Sequence, residues 1–435
     1  MENQNAFLLL TIIFLPTLGG LLSLLAQPPG REHLSRWYAL GTSLLTFVLS
    51  LAFVAPTFSS PETFFVSINI PWIEEVNITL LLGMDGLSGV MVLLTNLLIV
   101  LSVLGSWTAI TRRTREFYCY LLLLQTGILG TFLALDLILF YVFWELMLIP
   151  LYFLIGIFGS GNRIYATMKF FLYTFAGSVL MLIGIIALYF QAAAITGSGT
   201  FALPELLAIA PRIDPAAGFW IFLAFLVAFA VKVPMFPVHT WLPDAHTEAP
   251  TAGSVILAGV LLKTGVYGLM RFAIPLFPAA AEQCAPVLVV LALIGIIYGA
   301  LTAFAQADMK RLIAYSSVSH MGFMVLGLFA FNEISVSGAA LQMLNHGIST
   351  GGLFLCVGYI YERRHTRLMS EFGGLARNMK VYATLTVIMV LSSVGLPGLN
   401  GFIGEFMILL GSAQTRLWWG VVGATGVILA ASYLL

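Results

Sequence analysis

Charge is what this 435-residue sequence has least of. Asp, Glu, Lys and Arg make up 9% of it, where a soluble domain carries about a quarter. Hydrophobic residues make up 60%, and the mean hydropathy is +1.01. No water-soluble fold of this size hides so much apolar surface, so lipid is the solvent. With 19 basic and 19 acidic residues the formal net charge is zero, which removes the electrostatic case for a nucleic-acid partner. Cysteine is scarce as well. Cys119, Cys284 and Cys356 sit apart in apolar runs without CxxC spacing, against a disulfide framework, an iron–sulfur cluster or a thiolate zinc site. The G-x-G-x-x-G and Walker patterns are missing, so nothing signals a bound nucleotide or an electron-transfer cofactor. The first apolar run has an acidic leader and no A-x-A site, which reads as a retained helix rather than a signal peptide.

What is present is a series of long apolar runs. A bilayer-crossing helix needs about 20 mostly apolar residues, and thirteen segments meet that requirement. The first seven are Ala6–Leu25, Trp37–Ala55, Leu87–Ala109, Phe117–Leu135, Leu137–Phe158, Tyr165–Phe190 and Gly218–His239. The other six are Thr251–Phe272, Ala285–Ala305, Leu312–Phe331, Ala339–Tyr361, Tyr382–Leu410 and Leu417–Leu435. The last run carries no polar flank, the pattern of a truncated chain. The expected fold is therefore an all-α polytopic membrane protein.

The basic residues give an orientation. Fourteen fall in the odd-numbered connections, among them Arg31, Arg112, Arg163, Lys310 and Arg363, and three (Arg212, Arg271, Arg416) in the even-numbered ones, where Glu62, Glu74, Glu205 and Asp214 also lie. Basic loops stay cytoplasmic, which places the N-terminus on the non-cytoplasmic side.

A few ionisable residues fall inside the apolar runs: Glu145, Lys232, Lys263, His320, His346 and Glu405, with Asp136 at the outer mouth of the fifth. Each intramembrane charge costs at least about 2.5–3.5 kcal/mol, so such side chains face a bundle interior and serve function. At 1.5 Å per residue, Glu145 and Lys263 both come out near the midplane. Desolvation moves buried groups toward their neutral forms, which lets them exchange protons near neutral pH. A structural ion pair would also explain Lys232 or Glu145 alone, a satisfied core histidine His346, and a helix cap Asp136. The set of two lysines, two glutamates and two histidines favours proton translocation, with His346 and Asp136 as secondary members.

Two of these residues lie beside helix breakers. Pro234 and Pro237 follow Lys232 in the seventh run, and Pro397, Gly398 and Gly401 precede Glu405 in the twelfth. Proline removes a helix hydrogen bond, and freed backbone is tolerated in lipid only where protein or a water-filled cavity satisfies it. Runs five apart cross the membrane in opposite directions, so matched breaks point to an inverted repeat with its site at the midplane. The expected organisation is a three-helix segment (1–110), a first five-helix repeat (111–277, helices four to eight) and a second, inverted one (278–435, helices nine to thirteen). His239, Asp244, His246 and Glu248 follow the seventh run, but Pro243 and Pro250 disfavour a shared metal-binding face, and a rigid hydrogen-bonded loop is the better expectation.

Three stretches carry a resemblance. P-V-H-T-W-L-P-D-A-H-T-E-A-P-T-A-G-S-V-I-L-A-G-V-L-L-K-T-G (Pro237 to Gly265), D-M-K-R-L-I-A-Y-S-S-V-S-H-M-G from Asp308 and G-L-P-G-L-N-G-F-I-G-E-F from Gly395 resemble the antiporter-like proton-pumping membrane subunits of respiratory complex I. The likeness covers nearly the whole chain. It implies fourteen core helices at full length, with the seventh and twelfth discontinuous, in the bacterial inner membrane. It implies no redox centre here; FMN, iron–sulfur clusters and quinone belong to partner subunits, and quinone reduction there drives pumping. The implied partners are the other membrane subunits, paralogous antiporter-like ones among them, and lipid. Residue by residue, Glu145 matches the fifth-helix glutamate that pairs with the Lys232 position, Lys263 the central eighth-helix lysine, His320 the tenth-helix histidine and Glu405 the exit carboxylate. A glutamate at 405 matches one paralogue, the other two carrying lysine. A cation/proton antiporter subunit, a membrane-bound hydrogenase subunit and a non-pumping scaffold stay open as alternatives.

Overall fold

The computed structural model describes residues 2–25, 33–54 and 66–435. Arg31 and Glu62, which entered the charge asymmetry, lie outside the described residues. In chain order the helices begin with α1 (Glu2–Leu25) and α2 (Leu34–Val54), followed by strands β1 (Val66–Ile73) and β2 (Ile78–Met84). Then come α3 (Gly86–Gly105), α4 (Thr114–Leu133), α5 (Leu137–Leu146), α6 (Leu148–Phe158), α7 (Arg163–Thr196), α8 (Leu203–Ile209), α9 (Pro215–Lys232) and α10 (Trp241–Glu248). The remainder are α11 (Thr251–Leu276), α12 (Pro278–Phe304), α13 (Met309–Phe329), α14 (Glu333–Arg364), α15 (Lys380–Val394), α16 (Asn400–Thr415) and α17 (Leu417–Leu434).

Among the described residues, eleven helical segments are long and apolar enough to cross a bilayer. The eleventh and twelfth expected runs are the two that differ. α14 is 32 residues long but carries Gln342, Asn345, His346, Ser349 and Thr350 on its buried side, which dilutes its apolarity. The twelfth run is split into α15 and α16, of 15 and 16 residues. The described residues are mostly helical, and β1 and β2 add a short antiparallel hairpin pairing Ile68 with Leu82 and Ile70 with Leu80. A hairpin this short leaves only a brief alternating pattern beside long helical runs.

The chain forms two compact units. The first comprises Met1–Phe158, Phe171–Phe229 and Tyr267–Ala280. Its core is aromatic: the Phe140 ring lies 4.5 Å from Phe272 and 5.5 Å from Trp144 between centroids, and the Tyr267 hydroxyl donates to the Phe132 carbonyl at 2.8 Å. Asp85 caps α3 through the Ser88 amide and pairs with Arg271 at 2.5 Å. α5 gives way to α6 at Met147. Pro150 cannot donate to the Leu146 carbonyl one turn back, which explains the interruption next to Glu145.

The second unit comprises Gly159–Phe170, Ala230–Val266 and Ala281–Leu435. Within it, Gly404 of α16 meets α14 so closely that a Cβ there would lie 2.4 Å from Gln342 Oε1. Small residues of this kind let membrane helices approach. One end of the unit is tied by ion pairs, Lys169 to Asp244 at 2.7 Å and Arg367 to Asp308 at 3.1 Å. Glu248 accepts from the Ser160 hydroxyl at 3.3 Å.

Candidate functional site

Most of the intramembrane ionisable residues fall in the second unit, each delivered by a different helix. Lys263 comes from α11, His320 from α13, His346 from α14 and Glu405 from α16. All four are buried, with at most 3% of each exposed.

Lys263 follows a π-helical turn, Leu257–Leu261, inside α11. A π turn widens the helix and loosens its carbonyls, and the Lys263 ammonium donates to the Ala258 carbonyl on that turn. Its nitrogen also lies 2.6 Å from His346 Nδ1. The His346 and His320 rings are 5.4 Å apart between centroids. His320 Nδ1 then meets Glu405 Oε1 at 2.8 Å. Lysine, histidine, histidine and carboxylate thus form one buried line from four helices that are distant in sequence.

The polar surroundings hold the far end of this line in place. Gln342 Nε2 donates to Glu405 Oε1 at 3.0 Å, and the Ser393 hydroxyl lies 3.4 Å from His320 Nε2. Ser393 sits just before the break between α15 and α16. There Gly395, at φ +81°, closes α15 by donating to Ser392 O, and the Leu396 amide donates to Leu391 O at 3.0 Å. Asn400 bridges to the Asn345 carbonyl at 3.2 Å. Pro397 and Gly398 lie within the break, whose freed backbone finds partners inside the protein, as a hydrocarbon environment demands.

The other expected members lie elsewhere. Lys232 is the last residue of α9, buried in the second unit, where the chain turns through Pro234 and Pro237 before α10. The Trp241 indole donates to the Val231 carbonyl at 2.9 Å across this turn. Glu145, near the end of α5, and Asp136 belong to the first unit. Asp136 is a cap: its carboxylate accepts from the Ile138 and Leu139 amides at 2.9 and 3.0 Å, and from Thr79 of the hairpin at 3.3 Å. It is fully buried rather than solvated.

The segment expected as a rigid loop after the seventh run is the two-turn helix α10. Asp244 is engaged by Lys169, and His246 stacks on Phe354 at 4.8 Å with its rings nearly parallel. Burial, with Lys310 and Lys263 nearby, holds His246 well below the ordinary imidazole range. Among the described residues, no three His, Cys, Asp or Glu side chains are grouped as metal ligands would be.

Sequence reasoning missed Gln342 and Ser393, uncharged residues without a distinctive motif, and Lys310, counted as a loop residue. Lys310 is buried and donates to the Ala249 carbonyl. The adjacent Asp308 cap, whose carboxylate binds the Lys310 and Arg311 amides, was the available signal that a helix starts there.

Residues 134–430 match the family described as NADH:quinone oxidoreductase/Mrp antiporter, TM. The chain belongs to this family. NADH-quinone oxidoreductase subunit M of Rhodobacter capsulatus is 46% identical over 421 residues, covering 94% of this chain and 80% of the relative. Subunit M of Pseudomonas aeruginosa is 45% identical over 437 residues, covering 98% and 85%. Among solved structures, a chain of respiratory complex I from Thermus thermophilus with bound NADH superposes with a TM-score of 0.89 at 36% identity, covering 98% of this chain and 87% of that one. All seven expected site residues fall inside the part matched to the NADH:quinone oxidoreductase/Mrp antiporter family.

Proposed function

We propose that this chain translocates protons across the bacterial inner membrane as an antiporter-like subunit of NADH:quinone oxidoreductase. The observation that carries this reading is the buried line Lys263–His346–His320–Glu405, with contacts of 2.6 and 2.8 Å at its two ends. Each member can both take and release a proton, and nothing structural requires four such groups to be joined in hydrocarbon. The membership of the NADH:quinone oxidoreductase/Mrp antiporter family and the relatives named subunit M support the same conclusion.

Protons enter from the cytoplasmic side by the broken end of α9 and load Lys232, with Glu145 as the titratable partner residue of the input half. They pass to Lys263 and on to His346. Transfer between the two imidazoles proceeds by ring reorientation or through one bridging water, and Glu405 is the exit. FMN, iron–sulfur clusters and quinone sit in partner subunits, where quinone reduction supplies the driving force. The other membrane subunits, including paralogous ones, are the neighbours. The positive-inside asymmetry supports an N-terminus on the non-cytoplasmic side.

α14 and the broken pair α15/α16 complete thirteen membrane crossings. Helices four to eight (111–277) and nine to thirteen (278–435) form two inverted repeats behind the three-helix segment 1–110, and the breaks after Lys232 and before Glu405 support this pairing.

The test is NADH-driven proton uptake by the purified complex in proteoliposomes, with Lys263→Met, Lys232→Met and Glu145→Gln variants that assemble. Each should abolish or sharply reduce pumping through this subunit. A normal proton-to-electron ratio in assembled Lys263→Met would overturn the reading.

A further inference from the structure

Apart from the buried line, the second unit carries two adjoining depressions at the end of α14. The first is a cavity of about 310 Å³ in which Arg363, Arg364, Glu371 and Asn378 stand among apolar residues such as Phe372 and Leu375. The second, of about 380 Å³, is almost wholly apolar and lies between α14 and α15, lined by Leu355, Cys356, Tyr359, Tyr382 and Leu385. Their linings come close in sequence on both sides, Ile360 following Tyr359 on α14 and Met379 standing two residues before Val381.

We infer that together they bind one anionic glycerophospholipid, its phosphate in the arginine cavity and an acyl chain in the groove. Three observations point to this occupant. The first is charge. Arg363 and Arg364 line the first cavity with one acid, Glu371, and Arg377 and Lys380 stand exposed on the adjoining segment. Lipid phosphates are attracted to such basic clusters just cytoplasmic of a membrane helix.

The second is preorganisation. The Arg363 guanidinium carbon lies over the Tyr359 ring, 3.6 Å from its centroid, and the guanidinium donates to the Tyr359 carbonyl at 2.9 Å. Tyr359 in turn stacks on Tyr382 across the groove at 5.6 Å and an interplanar angle of 18°. The cation is thus held at the junction of the two depressions, and its remaining donors are available to a phosphate. The third is depth. Leu355 precedes Arg363 by two turns of helix, about 12 Å at 1.5 Å per residue, so the groove lies where acyl carbon begins when the arginines sit at headgroup level. Aromatic residues at such a boundary are the usual interfacial anchors. Two arginines against the single acid Glu371 leave the lining net positive, which favours an anionic headgroup over a zwitterionic one, and the Glu371 carboxylate and the Asn378 amide can accept from the glycerol hydroxyls of phosphatidylglycerol. The occupant belongs to the lipid rather than to dissolved phosphate, because the groove has no use for a free ion.

The test is photocross-linking in the purified whole complex, reconstituted with trace phosphatidylglycerol bearing a photoreactive acyl chain in phosphatidylcholine vesicles. Labelling of the segment 355–385 is read by peptide mass spectrometry. Unlabelled phosphatidylglycerol should displace the probe, and neither phosphatidylcholine, phosphatidylethanolamine nor inorganic phosphate should do so at the same concentration. Arg363→Gln and Arg364→Gln should each lower labelling about five-fold, the ratio that one basic residue near an anionic headgroup supports. Cys356→Trp, which fills the groove and leaves both arginines, should lower it as well. Equal labelling by phosphatidylcholine or phosphatidylethanolamine probes, displacement by inorganic phosphate, or no labelling in the assembled complex would overturn the inference. Because these residues lie apart from the proton line, NADH-driven pumping is a separate readout, and its loss in Lys263→Met leaves this result untouched.

Discussion

His320 and Glu405 stand 85 residues apart in sequence, yet His320 Nδ1 lies 2.8 Å from Glu405 Oε1, in a site where both side chains are almost fully buried. The carboxylate has a second fixed donor, Gln342, and approaches the bend at Gly395. A proton reaching His320 therefore has an acceptor already in hydrogen-bond contact.

Glu405→Gln keeps the size of the side chain and its contact with His320 but cannot release a proton. Removing a positioned proton-transfer group typically costs about 100-fold or more, so proton uptake through this subunit should fall by that order while the complex still assembles. Proteoliposome pumping assays beside a native-gel assembly check decide the matter; unimpaired pumping counts against an exit role.

His346 separates Lys263 from His320. His346→Phe preserves ring volume but removes the side-chain partner of the Lys263 ammonium, leaving it the Ala258 carbonyl, and loss of a hydrogen bond to a charged group costs about 1.5–3 kcal/mol. Combining it with Lys263→Met should recover much of that loss in thermal stability, since apolar replacement of both partners is close to neutral. Pumping should stay lost in the double variant. Recovery of pumping along with stability would remove this pair from the path.

Gly395→Ala tests the bend. Its φ of +81° suits glycine, and an added Cβ would lie 3.1 Å from Glu405 Oε2. Left-handed backbone costs a residue with a Cβ about 1–2 kcal/mol. The expected result is a lower melting temperature together with reduced pumping. A variant with native stability and native pumping would show that the carboxylate position is not set by this turn.

Asp136 was a secondary member of the expected path, but its contacts are those of a helix cap. Asp136→Asn retains an acceptor for the Ile138 and Leu139 amides and should pump normally. Asp136→Ala should cost about 1 kcal/mol or somewhat more, the usual worth of a cap, read as a shift in thermal unfolding of the complex. Loss of pumping in a stable Asp136→Asn variant would restore it to the path.

The sequence by itself determined the solvent, because 60% hydrophobic residues and 9% charge leave no alternative to lipid. It also picked out Lys263, His320 and Glu405, because a charge in an apolar run is conspicuous wherever its neighbours lie. Proline and glycine marked the breaks after Lys232 and before Glu405 for the same local reason.

Only the tertiary structure decided which of these residues meet. Sequence spacing says nothing about the 83 residues between Lys263 and His346 becoming a 2.6 Å contact, since that depends on how α11 and α14 pack. The π turn before Lys263 was equally hidden: Leu257–Leu261 reads as one more apolar stretch of a membrane helix, and neither Gly259 nor Val260 within it marks a π turn in particular. Gln342 gave no signal because an uncharged amide becomes important only through the carboxylate it faces. Composition fixes where a charge is costly; the packing of distant helices fixes what it can exchange a proton with.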